Sequence, residues 1–488
     1  MPERPHHGAR RWGWVGLVAS PIVGLIVYLL LEPGGELSEP ARRVAAIAAT
    51  MTALWLSEAL PLAVTALLPL ALFEPLGVTP MRAAAAPYAD PIIFLFMGGF
   101  MIALTMERWG LHRRLALNLL RLAGTRLSVM VGAFMLAAAA LSMWVSNTAT
   151  AVMMLPLGLS VIALLPEDSP ASERFAPCLL LAIAYSCSIG GLATLIGTPP
   201  NVVLAGFVRD SYGFEIGFGQ WMLLGLPLAL VFLVFAWLLL TRVLFPLGRS
   251  ELPGGPDAIR EQLRTLGRIS RPETLTLVVF TLTALLWMGR VPLSGTFPVL
   301  AGLSDAQIAI AAGVLLFAIP VRPRAGVFLL DWTTASRLPW DVLLLFGGGL
   351  SLAAAVRVTE LDAWIAHSVS GLAGAPEWVV ALGVATLVVF LTELTSNTAT
   401  ATVFLPLLAG AAEGLGVDPL VLLVPAAVAS SCAFMLPVAT PPNAIVYGSG
   451  RLRIGQMARA GIALNIVSIV LATLAGAWLA PLILGRFG

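Results

Sequence analysis

The sequence predicts an all-α polytopic membrane protein with eleven transmembrane helices, two re-entrant hairpins and an inverted-topology repeat. Of its 488 residues, 59% are hydrophobic and 11% are charged, and the mean hydropathy is +0.93. A soluble globular protein carries about 25% charged residues. The apolar residues are spread over the whole length, so many segments can cross a bilayer. The chain also contains an internal repeat: six identical residues occur at 146–151 and again at 396–401, 250 positions later.

Eleven apolar runs between polar breaks are long enough to cross a bilayer. They lie at about residues 14–31, 41–60, 61–77, 90–106, 175–210, 218–245, 273–290, 303–320, 339–356, 420–450 and 456–485. The first run follows a polar, basic stretch and has no small-residue cleavage signal after it, so we expect a retained helix rather than a signal peptide. Residues 1–40 are therefore expected to hold an N-terminal segment and the first transmembrane helix.

The repeated hexapeptide, Ser-Asn-Thr-Ala-Thr-Ala, lies inside two further apolar runs at about 126–165 and 375–415. Each run has two apolar arms around a polar middle, which is typical of a re-entrant hairpin whose tip ends within the membrane. Small polar side chains there have no water to satisfy them and must find another partner. Isolated Ser and Thr residues in membrane helices often bond the carbonyl four residues back, but two identical clusters at matching places favour a shared site.

The repeat extends beyond the hexapeptide. Phe96-Met97-Gly98-Gly99 matches Phe346-Gly347-Gly348-Gly349, and each hairpin is followed by a run with a Thr-Pro-Pro-Asn break. Paired prolines cannot continue a helix because they lack the amide hydrogen and clash with the preceding turn, so 175–210 and 420–450 are expected to be broken helices. The expected domains are a first repeat at 41–245, a linker at 246–272 and a second repeat at 273–488.

Arginine placement predicts the orientation in the membrane. With the N-terminus in the cytoplasm, the expected cytoplasmic segments collect most arginines, including Arg4, Arg113 and Arg249, whereas the loop at 32–40 is acidic and the loop at 291–303 has no charge. Five spans separate corresponding points of the two halves, and hairpins return to the side they left. The second half is therefore expected to be inverted relative to the first.

Two hairpin tips and two broken helices are expected to place four unwound segments at the bilayer midplane. Free amide hydrogens at helix N-termini hold anions, and free carbonyls at C-termini hold cations. Neither the motifs nor their flanks contain Arg or Lys, so we expect an anion to be held by dipoles, hydroxyls, amides and co-bound cations. The carbonyl, hydroxyl and amide oxygens suit sodium. The net charge of +2 gives no argument for a nucleic-acid partner.

These motifs resemble the divalent anion/sodium symporter (DASS) family. The two Ser-Asn-Thr motifs, both Pro-Pro-Asn breaks and the run from Ser430 to Ala439 carry the resemblance, which covers essentially the whole chain. It implies transport of a di- or tricarboxylate of the succinate, malate, fumarate or citrate class, coupled to sodium, in the plasma membrane. It also implies a lipid-embedded homodimer in which the transport domain of each protomer moves as an elevator against a scaffold domain.

The resemblance also implies the site residues, position by position. The first cation site resembles Ser142, Ser146, Asn147 and Gly197. The second cation site resembles Thr392, Thr395, Asn397 and Ala439. The anion is expected between the two Ser-Asn-Thr motifs, near Ser146, Asn147, Thr148, Ser396, Asn397 and Thr398, with Thr198, Thr440 and Pro441 beside them.

Glu393 is a carboxylate three residues before Ser396, at the position that Met143 occupies in the first half. It could couple a proton or hold the geometry of a cation site. A buried structural hydrogen bond explains it equally well.

The sequence leaves other functions open, both among transporters and in other classes of membrane protein. Sodium-independent anion exchange uses similar motifs in the family, and sulfate is a compact oxyanion that the same neutral donors could hold. A membrane enzyme would need a nucleophile, base or metal constellation, and the sequence has no HExxH or Ser/His/Asp arrangement. A channel fits less well, because sealed hairpin tips suit alternating access better than a continuous pore.

Overall fold

The computed structural model describes residues 7–31, 37–121, 123–166, 170–252, 254–297, 302–369 and 374–486. Some features predicted from the sequence fall on residues outside these ranges. Arg4, most of the acidic loop at 32–40, the middle of the uncharged loop at 291–303 and the end of the second repeat at Gly488 lie outside the described residues.

Helices make up most of the described chain, as predicted. In the first half they are α1 His7–Leu30, α2 Glu39–Ser57, α3 Leu62–Thr65, α4 Leu68–Leu72, α5 Met81–Ala85, α6 Pro91–Arg108, α7 Leu111–Leu120, α8 Leu127–Ser142, α9 Asn147–Ile162, α10 Pro170–Gly191, α11 Pro199–Tyr212, α12 Phe218–Leu238 and α13 Gly255–Thr265. In the second half they are α14 Arg271–Leu293, α15 Asp305–Ala318, α16 Trp332–Ala335, α17 Trp340–Val358, α18 Leu361–Val369, α19 Glu377–Thr392, α20 Asn397–Leu415, α21 Pro419–Ser430, α22 Pro441–Tyr447, α23 Ile454–Leu474 and α24 Ala480–Ile483. Two short antiparallel strands, β1 Pro320–Arg322 and β2 Val327–Phe328, follow α15.

Within the described chain, seven helices are long and apolar enough to cross a membrane. They are Met81–Arg108, Ala171–Gly191, Phe218–Leu244, Arg271–Leu293, Trp340–Val358, Asn397–Leu415 and Ile454–Ile483. Asn397–Leu415 is one arm of a predicted hairpin, so helix length alone does not separate spans from hairpin arms. The span predicted at 61–77 is two short helices, because Pro69 lacks an amide hydrogen and stands in the first turn of a new helix.

Each copy of the hexapeptide lies where the first helix of a pair has ended and the second begins. Helices α8 and α9 fall within the predicted hairpin at 126–165, and α19 and α20 within the one at 375–415. In both pairs the second arm begins at the asparagine of the hexapeptide. The helix N-termini, with their free amide hydrogens, are therefore placed at the two tips.

The two broken helices are interrupted at the predicted prolines. Helix α10 ends at Gly191 and α11 begins at Pro199, while α21 ends at Ser430 and α22 begins at Pro441. A proline in the first helical turn loses no hydrogen bond, because that amide would have no partner within the helix. The stretches at 192–198, which includes a 3-10 turn at Leu195–Gly197, and at 431–440 leave backbone amides and carbonyls available for other partners.

Helices of the first half pack against helices of the second half. Helix α9 of the first hairpin packs against α22, and α20 of the second hairpin packs against α11. Helix α10 is almost wholly buried and packs along α8. At their contact a Cβ on Gly190 would overlap the backbone of Ala139, so a glycine allows this close approach.

The predicted linker holds a helix and binds the base of the first hairpin. Helix α13 lies within 246–272. The backbone amide of Leu127 donates to the carbonyl of Ser250 over 3.0 Å, and the amide of Leu252 donates to the carbonyl of Thr125 over 2.7 Å. The linker therefore holds the first residues of α8.

Candidate functional site

The first hairpin tip contains four of the predicted site residues, Ser142, Ser146, Asn147 and Thr148. Ser146 precedes α9, and its Oγ accepts a hydrogen bond from the amide of Ala149 over 3.2 Å. The Ser142 hydroxyl donates to Oδ1 of Asn147. Ser142 is fully buried, whereas Ser146 and Thr148 are exposed. The Ser146 hydroxyl is thus used as a helix cap, and Thr148 is free to face a ligand.

The first break completes this cluster at Gly191. A Cβ built on Gly191 would lie 2.9 Å from the carbonyl oxygen of Gly197 and 3.2 Å from Oδ1 of Asn147. The absence of a side chain at Gly191 therefore lets two oxygens approach the same small volume. The structure therefore brings together Ser142, Asn147 and Gly197, three of the four residues that the resemblance assigned to the first cation site.

The second hairpin tip has an equivalent cluster of polar groups. Oγ1 of Thr392 lies 2.8 Å from Oδ1 of Asn397 and 2.8 Å from the carbonyl oxygen of Ser430. Thr392 is fully buried, so these groups converge away from water. Their hydroxyl, side-chain amide and carbonyl oxygens are ligands that suit a cation.

The predicted residues Thr395 and Ser396, at the second tip, are arranged differently from the residues of the first tip. Oγ1 of Thr395 lies 3.0 Å from the carbonyl of Leu391 and 2.6 Å from Oγ1 of Thr400. Its hydroxyl is therefore turned into its own hairpin and away from Asn397, leaving only its backbone for a ligand. Ser396 precedes α20 but makes no side-chain cap.

The second break contains the other predicted residues. Thr440 is buried, and its Oγ1 accepts a hydrogen bond from the amide of Asn443 over 3.4 Å at the start of α22. Ala439 is half-buried and Pro441 is exposed. Thr398, at the second tip, is 8% exposed.

The two breaks are joined directly. The hydroxyls of Thr198 and Ser431 lie 3.2 Å apart, and both side chains are buried. Ser431 was not predicted as a site residue, although it lies in the run from Ser430 to Ala439 that carried the resemblance. Its place opposite Thr198 depends on the exchange of partners between the halves, which no local pattern reveals.

Glu393 is an acceptor that holds the second break. One carboxylate oxygen accepts from the amides of Phe434 over 2.6 Å and Met435 over 2.8 Å, and from Nδ2 of Asn465 over 2.8 Å. The other oxygen accepts from the amide of Leu436 over 3.2 Å. All four partners are donors, which matches an ionised carboxylate. The sequence left several roles open for Glu393. Of these, the buried structural hydrogen bond matches the contacts that its carboxylate makes.

Asn465 was missed by the sequence analysis. It is fully buried on α23, within an otherwise apolar helix. A lone asparagine in such a helix needs a buried hydrogen-bond partner. Its presence in an apolar run was the signal in the sequence that could have identified Asn465.

The electrostatic character of the cluster is neutral in the first half and acidic in the second. Met143 occupies the first-half position equivalent to Glu393, and its carbonyl accepts from Oγ1 of Thr194 over 2.5 Å. In the second half the Glu393 carboxylate follows Thr392 directly in the chain. The donor set consists of hydroxyl, amide and carbonyl oxygens with one nearby carboxylate, which fits a hard monovalent cation such as sodium.

Comparison with known proteins identifies relatives over nearly the whole length. A family model described as "Sodium:sulfate symporter transmembrane region" matches residues 11–485. A Staphylococcus saprophyticus protein named sodium-dependent dicarboxylate transporter SdcS is 42% identical over 478 residues, covering 96% of this chain and 92% of the relative. A protein of the same name from Staphylococcus aureus strain USA300 is 41% identical over 480 residues, with the same coverage of each chain.

A similar fold occurs among solved structures. The Alcanivorax borkumensis YdaH transporter aligns with a TM-score of 0.54 over 97% of this chain and 98% of that chain, at 16% sequence identity. At this identity the likeness concerns the fold alone.

Proposed function

Because the chain belongs to the sodium:sulfate symporter family, we propose that it is a secondary active transporter of dicarboxylate anions, coupled to sodium. The motifs had predicted this family under the name of the divalent anion/sodium symporters, and the family is confirmed. The relatives are transporters rather than enzymes, and those from the two Staphylococcus species are named for sodium-dependent dicarboxylate transport. The protein is accordingly an integral membrane protein.

The convergence of oxygens at the second tip is the observation that supports the sodium coupling. Oγ1 of Thr392, Oδ1 of Asn397 and the carbonyl oxygen of Ser430 lie together in a buried place. Sodium bound at this point would take these neutral oxygens as ligands. Asn147, Ser142 and Gly197 supply the corresponding first site, with backbone contributions from Ser146 there and from Thr395 and Ala439 in the second.

The anion is proposed to lie between the two tips, at the N-termini of α9 and α20. Free amide hydrogens and the helix dipole favour negative charge there. The neutral side chains proposed to line this site are Ser146, Asn147, Thr148, Thr198, Ser396, Asn397, Thr398 and Thr440, with Pro441. Two symmetric clusters suit the two carboxylates of a dicarboxylate, and the bound cations compensate its charge.

The architecture proposed around this site is an inverted repeat that works as an elevator. Ten of the eleven spans and the two re-entrant hairpins fall into a first repeat at 41–245 and a second at 273–488, joined by the linker at 246–272. The remaining span, at 14–31, precedes the first repeat. The hairpins, the broken helices, α12 and α23 would form the transport domain, which moves against the scaffold of a lipid-embedded homodimer. The equivalent bonds from Ser142 to Asn147 and from Thr392 to Asn397 support the repeat.

The N-terminus is proposed to be cytoplasmic, as the arginine distribution indicates. Single cysteines placed in the 249–271 linker should then be labelled only from the cytoplasmic side, and a cysteine at position 488 only from outside. The native cysteines Cys178, Cys187 and Cys432 are buried, so they provide little background. Labelling of both regions from one side would refute the span count and the inversion.

Uptake of radiolabelled succinate into proteoliposomes tests the function itself. We expect an inward sodium gradient to drive accumulation, and a choline gradient to give none. Vesicles preloaded with succinate separate the alternative: rapid exchange that needs no sodium, with no sodium-driven accumulation, would mean an exchanger. Sulfate offered as a competitor distinguishes the inorganic anion from the dicarboxylate.

A further inference from the structure

The last residue of each Thr-Pro-Pro-Asn break has an unusual set of contacts. In the first half, Nδ2 of Asn201 donates to the carbonyl of Gly191 over 3.1 Å and to the carbonyl of Thr194 over 2.8 Å. These residues lie ten and seven positions before the asparagine. The side chain thus closes the unwound stretch into a loop held at two points, and it is fully buried.

The second half repeats this arrangement at the same spacing. Nδ2 of Asn443 donates to the carbonyl of Ala433 over 3.3 Å and to the carbonyl of Leu436 over 3.1 Å. These acceptors again lie ten and seven positions earlier, and Asn443 is fully buried. The same two bonds in each of two halves of different sequence indicate a shared requirement.

The orientation of both amide groups follows from their partners. Each Nδ2 faces two carbonyl oxygens, so the reversed orientation would place Oδ1 against two other acceptors. Oδ1 is therefore directed away from the loop. Both Oδ1 atoms are buried, and neither accepts a hydrogen bond from the part of the chain that the structure describes. A buried acceptor in this state is expected to bind a partner from outside the chain, either an ion or a water molecule.

The loops that these asparagines hold are in contact with the two cation clusters. In the first half, Gly191 lies against the carbonyl of Gly197 and Oδ1 of Asn147. The Thr194 hydroxyl reaches the carbonyl of Met143 at the hairpin tip. In the second half, Asn443 holds the stretch whose amides bind the Glu393 carboxylate.

We propose that Asn201 and Asn443 are positioning residues for the two cation sites. Each uses its amide hydrogens to hold the unwound backbone in the shape that brings the tip and break oxygens together. Its buried Oδ1, which accepts no hydrogen bond from the described chain, is left available for a ligand. The inference rests on the proposed sodium coupling and adds the residues that preorganise it, in the way that outer partners orient the ligands of other metal sites.

The side chain required for this role is specific. Leucine has nearly the shape of asparagine but donates nothing. Aspartate has the same shape but would repel both carbonyls. Serine is smaller and can donate to one carbonyl only. Asn201→Leu and Asn443→Leu therefore remove the contacts with little change in volume, and Asn201→Ser and Asn443→Ser retain part of the interaction in case a leucine variant does not fold.

Hydrogen–deuterium exchange of the purified full-length protein, titrated with sodium and with choline, tests the proposal half by half. In the wild type we expect sodium to protect peptides covering 191–198 and 431–440. In Asn443→Leu the half-saturating sodium concentration for the second peptide should rise roughly tenfold or more, as for lost outer partners of other metal sites. The first peptide should respond much nearer to normal. Asn201→Leu should give the reverse pattern, and the serine variants smaller shifts of the same kind.

Asn118→Leu is the matched control, because Nδ2 of Asn118 also donates to a backbone carbonyl, that of Arg114, but lies on α7 outside both breaks. It should leave both sodium responses unchanged. Folded variants at Asn201 and Asn443 that keep the wild-type sodium response in both peptides would overturn the proposal. A wild type without any sodium response in either peptide would instead contradict the sodium coupling on which it rests.

Discussion

Replacing either Asn147 or Asn397 by alanine is expected to abolish sodium-driven uptake. Each asparagine begins a hairpin helix, and its Oδ1 faces the hydroxyl of Ser142 or Thr392. Each substitution removes an amide that is proposed to serve both the cation and the anion. One interaction with a charged partner is worth about 1.5–3 kcal/mol, or roughly 10- to 100-fold in affinity, and here two ligands are affected at once. Sodium-gradient uptake of labelled succinate, at matched protein content, measures the loss.

Asn118→Ala provides the control for this pair. It removes a partly buried hydrogen bond, from Nδ2 of Asn118 to the carbonyl of Arg114, on α7 outside the site. It should transport normally. Near-normal uptake by Asn147→Ala or Asn397→Ala, at normal abundance in the membrane, would show that the assigned site is wrong.

Replacing Glu393 by leucine is expected to have the largest effect on stability. The carboxylate accepts from three consecutive backbone amides, at Phe434, Met435 and Leu436, and from Asn465. A buried donor left without an acceptor costs about 1–3 kcal/mol, so the loss of these partners together is on the order of several kcal/mol. We expect a clear fall in the thermal unfolding midpoint of the purified protein. Glu393→Gln keeps one acceptor oxygen, so its fall should be smaller.

The same variants test what the acidic group does for sodium. Glu393→Gln removes a negative charge next to Thr392 with little change in shape, so a larger sodium requirement is expected even where the protein is folded. Glu377→Gln is a suitable control, since Glu377 starts the same hairpin but is paired with Arg486 near the surface. If Glu393→Leu unfolds at the wild-type temperature, the carboxylate does not hold the break in solution.

The helical hairpins and broken helices were predictable because their signals are local. The hexapeptide is polar within apolar sequence, and the prolines at 199 and 200 and at 441 and 442 cannot continue a helix. The predicted runs at 126–165 and 375–415 therefore enclose the observed helix pairs closely. The clustering of Ser142 with Asn147, and of Thr392 with Asn397, also follows from their short separation in the chain.

Contacts between distant parts of the chain were not predictable in this way. The link between Thr198 and Ser431 needs the exchange of helices between the halves, and the bond from Asn465 to Glu393 joins two different helices. Thr395 was expected in the cation site by resemblance, but the hydrogen bond between its hydroxyl and that of Thr400 depends on rotamer and packing. The span at 61–77 was hydrophobic enough to predict one helix, and the effect of Pro69 on its continuity was missed.

Equilibrium binding of succinate to the purified protein, in sodium and then in choline, tests the central claim most directly. If bound sodium supplies the positive charge that the neutral site lacks, sodium should raise the apparent affinity for succinate. Succinate should then raise the affinity for sodium by the same factor. Equal succinate affinity in the two salts, together with rapid succinate-for-succinate exchange without sodium, would contradict sodium coupling.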